Sequence, residues 1–156
     1  MELHTAGFAD LDAAMLYALL RLRVDVFVVE QHCAYPDLDG RDVEPDATHV
    51  WLTDGDDPEP IGYLRILTEP DGGARIGRVA VAPVARGAGV ARQLMTSALR
   101  HLGQRPCVLD AQANLVGFYQ SLGFTVAGPE YLEDGIPHVP MRRAGGLVTA
   151  DGTRHP

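Results

Sequence analysis

The 156-residue chain contains no lysine, and this absence excludes two kinds of chemistry. All 13 basic residues are arginine, so neither a lysine Schiff base nor a Walker-type phosphate loop is possible, because both need an ε-amino group. Serine is almost as scarce. The two serines, Ser97 and Ser121, lie outside any Gly-x-Ser-x-Gly sequence, which excludes a hydrolase built on a nucleophile elbow.

Cysteine and long apolar runs are also rare. Cys33 and Cys107 are too few for a disulfide scaffold or a cysteine-rich zinc site, so we expect reduced thiols, a cytoplasmic location and no metal. The N-terminus lacks a basic segment followed by an apolar one. The longest uncharged stretch, residues 111–129, is broken by polar residues and glycines. The sequence therefore predicts neither a signal peptide nor a membrane span.

Acidic residues outnumber basic ones by 21 to 13, which gives a formal net charge of −8. A chain this negative repels the phosphates of nucleic acids and anionic lipids, so we expect no nucleic acid partner and no membrane partner. The length and the 46% content of hydrophobic residues suit one compact domain. We place this domain at residues 1–143 and expect a mobile tail over 144–156, which has little to bury.

Hydrophobic spacing predicts an α/β (α+β) fold with a mixed, twisted, mostly antiparallel central sheet flanked by helices. A first helix follows Asp10 and Asp12, carries an apolar stripe through Met15, Leu19, Leu22 and Val26, and fades near residues 27–29. The other predicted helices cover 91–102 and 116–122, the second closed by Gly123. The predicted strands cover residues 3–8, 49–53, 61–67, 74–81, 107–111, 124–126 and 138–142.

The sharpest local pattern is a valine-rich strand that runs into a glycine-containing loop and then a helix. The loop carries Arg86, Gly87, Ala88 and Gly89, and the helix begins with Val90 and Ala91. Backbone N–H groups at a helix N-terminus bind anions, and glycine lets a phosphate approach the backbone closely. This is not the dinucleotide fingerprint, because Arg92 stands where the third glycine belongs.

Two motifs resemble the signatures of the GNAT superfamily of acetyl-CoA-dependent N-acetyltransferases. Arg86-x-x-Gly89-x-Ala91 resembles the Q/R-x-x-G-x-G/A motif, and the segment 114–124, with Phe118-Tyr119 and Gly123-Phe124, is similar to the second signature. Four further strings look like the ElaA-like branch of that superfamily: residues 26–42, 76–79, 111–113 and 133–138.

The resemblance implies a cofactor site for acetyl-CoA, the acetyl donor. The amides of Gly87, Ala88, Gly89, Val90 and Ala91, with Arg86, would hold the pyrophosphate, and the backbone of Val79, Ala80 and Val81 would pair with the pantetheine arm. Asn114 would either contact the pantetheine or cap the following helix.

The resemblance also implies direct attack of a primary amine on the thioester through a tetrahedral intermediate. A backbone N–H, expected at Val81, would polarise the carbonyl. Tyr119 would act as a general acid or donate a hydrogen bond to the leaving thiolate. The amine must lose a proton, and the candidate bases are Glu30, Glu133 and His138. Glu30 follows an apolar run, so it either turns inward with a raised pKa or pairs with an arginine.

Five acids and one arginine lie between Asp37 and Asp46. This segment is either a solvated loop or a source of negative potential that attracts a cationic amine. We therefore expect an N-acetyltransferase whose acceptor is a cationic small amine or a peptide amine. A non-catalytic acyl-CoA-binding sensor and a protein N-terminal acetyltransferase stay open as alternatives, as do a monomeric and a homodimeric state.

Overall fold

The computed structural model of the chain describes residues 1–145, 147–148 and 154–155. The predicted tail, 144–156, falls mostly outside the described residues, and its mobility stays a prediction. Three helices are described: α1 Ala13–Val24, α2 Val90–Leu102 and α3 Val116–Gln120. The strands are β1 Glu2–Gly7, β2 Thr48–Thr53, β3 Pro60–Thr68, β4 Ala74–Val81, β5 Cys107–Gln112, β6 Thr125–Val126, β7 Tyr131–Glu133, β8 Ile136–Arg143, β9 Leu147–Val148 and β10 Arg154–His155.

The chain groups into two compact units, and β4 and α2 each contribute residues to both. The first unit comprises Met1–Leu67 and Gly77–Met95, and the second comprises Thr68–Ile76 and Thr96–Pro156. The predicted mixed, mostly antiparallel sheet is confirmed, with strand order β1-β2-β3-β4-β5-β8-β6 and β7 paired to β8. The placement of a single domain at 1–143 stays a prediction.

In the first unit, β1 pairs antiparallel with β2, β2 pairs antiparallel with β3, and β3 neighbours β4. Asp12 caps α1 by accepting a hydrogen bond from the Met15 backbone N–H at 2.7 Å, as its side-chain type predicts. The predicted apolar stripe packs into a core that contains Leu19, Leu22, Val26, Trp51, Tyr63 and Ala80. The chain does not leave the helix at residues 27–29, because a π-helical turn over Asp25–Glu30 continues α1.

In the second unit, the start of β4 pairs in parallel with β5 through Ala74 and Arg75. The connection between these strands runs through α2, so the predicted crossover is confirmed. β5 pairs antiparallel with β8, which also carries β6 and β7. Strand β7 is not among the strands predicted from the sequence. It is joined to β8 by Asp134 and Gly135, both with positive φ (51° and 79°), which is the hairpin turn that an Asp-Gly pair favours.

No helix among the described residues has the length and apolar character needed to cross a membrane. Cys33 is partly exposed and Cys107 is buried.

Candidate active site

The end of β4 and the start of α2 form the loop predicted to bind phosphate. Arg78 lies inside β4 and its left-handed φ of 54° breaks the extended backbone conformation, and Val79–Val81 follow this break. Gly87 and Gly89 also have positive φ, 82° and 77°, and a Cβ atom at either position would have no neighbour within 4 Å. The glycines therefore serve the turn itself, since left-handed backbone is strained for other residues, and they leave the backbone accessible.

Helix α2 begins directly after this loop and packs against β3. A Cβ atom at Gly62 would overlap the Val90 side chain, so glycine at position 62 is what allows the start of α2 to approach the sheet. The first-turn N–H groups of a helix have no partner within it, and the helix dipole adds partial positive charge there. With an accessible loop and Arg86 beside it, this end of α2 has the features of an anion-binding site.

Arg86 makes a two-point ion pair with Glu30. Arg86 Nη1 donates to Glu30 Oε2 at 2.7 Å, and Nη2 donates to Oε1 at 2.8 Å. Arg86 Nε donates to the Val81 carbonyl oxygen at 3.2 Å. Both side chains are partly exposed, 44% for Arg86 and 41% for Glu30. The structure thus joins a predicted phosphate ligand to a predicted base.

Glu30 lies in one of its two predicted environments and not in the other. It does not turn inward, and the hydrogen bonds from Arg86 hold the pKa of its carboxyl below the ordinary value. The inward orientation with a raised pKa is wrong, whereas the alternative, an ion pair with an arginine, is confirmed. A carboxylate with a lowered pKa is a weaker proton acceptor, which counts against Glu30 as the general base.

The acidic segment 37–46 is not a solvated loop. Arg23, wholly buried, donates from Nε to Asp37 Oδ2 at 3.1 Å and from Nη1 to Asp42 Oδ1 at 2.5 Å. Arg65 donates from Nη1 to Asp42 Oδ1 at 3.0 Å and from Nη2 to Asp39 Oδ2 at 2.6 Å. Three of the five acids in the segment are therefore engaged by arginines from outside the segment.

Arg78 connects the same segment to the break in β4. Its Nε lies 2.9 Å from Asp37 Oδ1, its Nη2 donates to the Asp37 carbonyl oxygen at 3.1 Å, and its guanidinium lies over the Tyr35 ring. The hydrogen bond from Arg65 is the main cause that lowers the pKa of Asp39. Burial alone would raise the pKa of Asp42, yet its arginine partners lower it. The carboxylates of Asp39 and Asp42 are thus ionised and paired.

The arginines and aspartates just described, Arg23, Arg65, Arg78, Asp37, Asp39 and Asp42, form an ion-paired cluster. His49 and Tyr63 complete it. His49 Nε2 lies 3.0 Å from the Asp42 carbonyl oxygen, and its Nδ1 lies 2.7 Å from the Tyr63 hydroxyl. Because a carbonyl only accepts, Nε2 carries the proton and Nδ1 accepts from Tyr63. Burial lowers the pKa of His49, and Arg23 and Arg65 lower it further.

In the second unit, Tyr119 lies on α3 and is 6% exposed. Its ring makes edge contacts with Phe118 and Phe124, at centroid distances of 5.1 Å and 6.1 Å. Backbone N–H groups of Leu122 and Phe124 donate to the Tyr119 carbonyl oxygen, and Gly123 adopts a left-handed φ of 92°, as predicted for a helix end. Burial raises the pKa of Tyr119 to about 12, so its hydroxyl keeps its proton at ordinary pH.

Asn114 is exposed and lies in a short 3₁₀ turn, Ala113–Leu115, ahead of α3. The cap position of α3 is Leu115, and no side chain caps this helix. The capping role considered for Asn114 is therefore not observed, and its contact with the pantetheine stays a prediction.

His138, on β8, is the one candidate base whose hydrogen bonding favours proton acceptance. Its Nδ1 lies 2.7 Å from the Ile136 carbonyl oxygen, so in the neutral ring Nδ1 carries the proton and Nε2 has the lone pair. Its ring lies against Tyr131, with centroids 6.0 Å apart. Glu133, the third candidate, is exposed at the end of β7.

The arginines and the histidine of the ion-paired cluster were not predicted from the sequence. A signal existed for Arg23, which lies four residues after Leu19 and three before Val26, on the buried face of α1. Arg65 interrupts an apolar strand in the same way. The described residues contain no group of three or more His, Cys, Asp or Glu side chains that could hold a metal ion.

Comparison with known proteins agrees with this architecture. The family model described as "Acetyltransferase (GNAT) domain" matches residues 23–144. ElaA of Escherichia coli is 45% identical over 143 residues, which cover 86% of this chain and 91% of ElaA. A UPF0039 protein of Mycobacterium bovis is 50% identical over 139 residues, which cover 87% of this chain and 88% of that protein.

Two solved structures are also similar. An acyl-CoA N-acyltransferase from Pseudomonas aeruginosa superposes with a TM-score of 0.87 at 42% identity, over 92% of this chain and 99% of that one. Escherichia coli ElaA superposes with a TM-score of 0.83 at 42% identity, over 91% of this chain and 98% of that one. The chain therefore belongs to the GNAT family of acetyltransferases and is similar to ElaA within it.

Proposed function

We propose that the protein is an N-acetyltransferase that moves the acetyl group of acetyl-CoA to a primary amine. The observation that carries the proposal is the loop from the break in β4 to the start of α2. There, two left-handed glycines, an arginine and a helix N-terminus come together. This combination suits a diphosphate, and coenzyme A is the diphosphate-containing donor expected for this family.

The amides of Gly87–Ala91 and the Arg86 side chain bind the diphosphate. The backbone of Val79–Val81 pairs with the amides of the pantetheine arm, as one strand edge pairs with another. The left-handed residue Arg78 supports this role, because its φ departs from extended backbone just before these three residues. Asn114 adds a side-chain contact to the pantetheine.

Acetyl-CoA supplies an activated acetyl thioester, and the protein supplies the groups that stabilise charge during transfer. The Val81 N–H polarises the thioester carbonyl, a kind of contact worth roughly 3–4 kcal/mol in the transition state. Tyr119 donates a hydrogen bond to the departing sulfur. Its raised pKa of about 12 supports hydrogen-bond donation over full proton transfer, because a thiol, at about 8.5, is the stronger acid.

His138 is the favoured general base among the three candidates. A proton taken up at Nε2 leaves the Nδ1 hydrogen bond to Ile136 in place, and this carbonyl then stabilises the charged ring. Glu30 is already engaged by Arg86, and Glu133 is exposed. A water chain that reaches solvent stays the alternative to all three.

The proposal is tested by assaying release of free thiol from acetyl-CoA against a panel of small amines and peptides. Cofactor binding is measured separately, as the rise in melting temperature with coenzyme A. A ligand at a hundredfold excess over its Kd adds about 2.7 kcal/mol of stability. Gly89→Val should abolish this rise by covering the loop backbone.

The matched control is Gly55→Val. Gly55 also has a positive φ, 60°, and open space around its Cβ, but it lies in the turn between β2 and β3. It should lose comparable stability and keep the coenzyme A response. Equal responses in the two variants would refute the loop assignment. Coenzyme A binding without turnover of any amine would favour the sensor alternative, and selective turnover of peptide α-amines would favour an N-terminal acetyltransferase.

A further inference from the structure

We infer that Glu30 is an internal competitor for Arg86, and that the diphosphate of coenzyme A must displace Glu30 in order to bind this arginine. The inference rests on the proposed function, because it takes the loop 86–91 as the diphosphate site. It gives Glu30 a role different from that of general base, and the two roles predict different coenzyme A affinities for the same substitution.

The hydrogen bonds of Arg86 carry the inference. The Nη1–Nη2 edge of the guanidinium is occupied by both carboxylate oxygens of Glu30, at 2.7 Å and 2.8 Å. The Nε position is occupied by the Val81 carbonyl oxygen at 3.2 Å. A guanidinium binds an oxyanion at two points through either its Nη1–Nη2 edge or its Nε edge. In Arg86 both edges are already occupied.

A phosphate group is recognised by the same edge that binds a carboxylate at two points. Glu30 and a phosphate cannot occupy the Nη1–Nη2 edge together, and two anions side by side would repel each other. Because both side chains are partly exposed, the exchange requires only side-chain rotation and no rearrangement of the core. Glu30 thus holds the arginine beside the loop until a diphosphate takes its place.

This competition predicts the direction in which coenzyme A affinity changes when Glu30 is removed. If Glu30 must be displaced, its removal should tighten coenzyme A binding, because the ligand no longer has to break the ion pair. If Glu30 is instead the general base, its removal should lower turnover and leave coenzyme A affinity unchanged. An exposed ion pair contributes modestly, so we expect the Kd to fall about two- to fivefold.

The experiment measures coenzyme A affinity by titration calorimetry at low salt for wild type, Glu30→Gln, Arg86→Gln and the double variant. Asp25→Asn is the matched control. Asp25 is exposed on the same π-helical turn, and its carboxylate lies 4.0 Å from Arg21, so its substitution removes the same charge without touching Arg86. Melting curves without ligand verify that each variant is folded.

We expect Glu30→Gln to bind coenzyme A more tightly than wild type and more tightly than Asp25→Asn. In the Arg86→Gln background, Glu30→Gln should add no gain beyond that of Asp25→Asn, because there is no ion pair left to break. An unchanged or higher Kd in Glu30→Gln, or an equal gain in Asp25→Asn, would overturn the role of Glu30 and leave the proposed function standing. No coenzyme A binding by the wild type would overturn both.

Discussion

Tyr119 combines a buried ring with a hydroxyl that nothing in its surroundings acidifies. Burial is the cause that raises its pKa to about 12, and the ring is held by Phe118 and Phe124. A phenol in this state donates a hydrogen bond without losing its proton. The energetics of this one residue therefore favour stabilisation of the thiolate over general acid catalysis.

Tyr119→Phe keeps the ring contacts and removes only the hydroxyl. A hydrogen bond to a charged group contributes about 1.5–3 kcal/mol, so kcat should fall about 10- to 150-fold. The Kd for coenzyme A should change little, since the ring still packs in place. The measurement is turnover where chemistry limits the rate, with binding determined by calorimetry. Turnover equal to that of wild type would make Tyr119 a packing residue only.

His49 makes stability depend on pH. Its pKa is lowered in the folded state, so below the ordinary value near 6.5 the unfolded chain binds more protons than the folded chain. The free energy of unfolding should therefore fall as pH drops from about 6.5, by at most about 1.4 kcal/mol per pH unit from this residue. Protonated Nδ1 could no longer accept from Tyr63.

Urea unfolding of wild type and His49→Gln at pH 7.5, 6.5 and 5.5 measures this effect. Glutamine can donate and accept at this position but does not titrate. The stability difference between the two proteins should therefore shrink as pH falls. A stability difference that stays constant over this range would show that the pKa of His49 is the same in the folded and the unfolded chain.

At the scale of elements, the segment between α1 and β2 is held by ion pairs from two strands and a helix. Arg23 comes from α1, Arg65 from β3 and Arg78 from β4, and their partners are Asp37, Asp39 and Asp42. Asp37 is only 3% exposed. Substitution of Asp37 thus tests packing of the segment and does not test attraction of a distant ligand.

Arg23→Met should cost about 3–5 kcal/mol of unfolding free energy, because Asp37 and Asp42 would be left buried with fewer partners. The control is Arg21→Met on the same helix. Arg21 is exposed and lies 4.0 Å from Asp25, so its loss should cost less than about 0.5 kcal/mol. Denaturant unfolding of both variants measures the difference. Similar costs would show that the buried pairs contribute no more than surface ones.

Element positions followed from hydrophobic spacing where one face is apolar. Helix α2 was predicted at 91–102 and lies at Val90–Leu102, with Val90, Leu94, Ala98 and Leu102 all buried. The π-helical turn was missed, because the β-branched run at its centre favours strand, and packing of Val26 overrides that preference. The Glu30–Arg86 pair joins residues 56 positions apart, and sequence spacing carries no information on such a contact.

At the scale of the whole molecule, the formal net charge of −8 is concentrated outside the ion-paired cluster. Asp37, Asp39 and Asp42 are matched there by three arginines, so they add little to the external potential. Attraction of a cationic acceptor must then come from the remaining acids acting together. This collective field is screened beyond about 10 Å at 0.1 M salt.

We expect kcat/KM for a cationic amine acceptor to fall as sodium chloride rises from about 20 to about 300 mM, because the Debye length shortens about fourfold over this range. For a neutral amine of similar size the value should stay nearly constant. The assay is run with saturating acetyl-CoA, so that weaker cofactor binding does not contribute. Equal salt dependence for the two acceptors would refute electrostatic attraction and leave the transferase assignment in place.

Every ion pair described in the two units uses a guanidinium, because the chain has no lysine. A guanidinium stays protonated and is not a nucleophile at ordinary pH. No side chain of the protein therefore offers an amine to the thioester donor that it is proposed to bind. The residues that hold its acidic segment and its phosphate loop are thereby inert to self-acetylation, so a high donor concentration leaves the charge of these ion pairs unchanged.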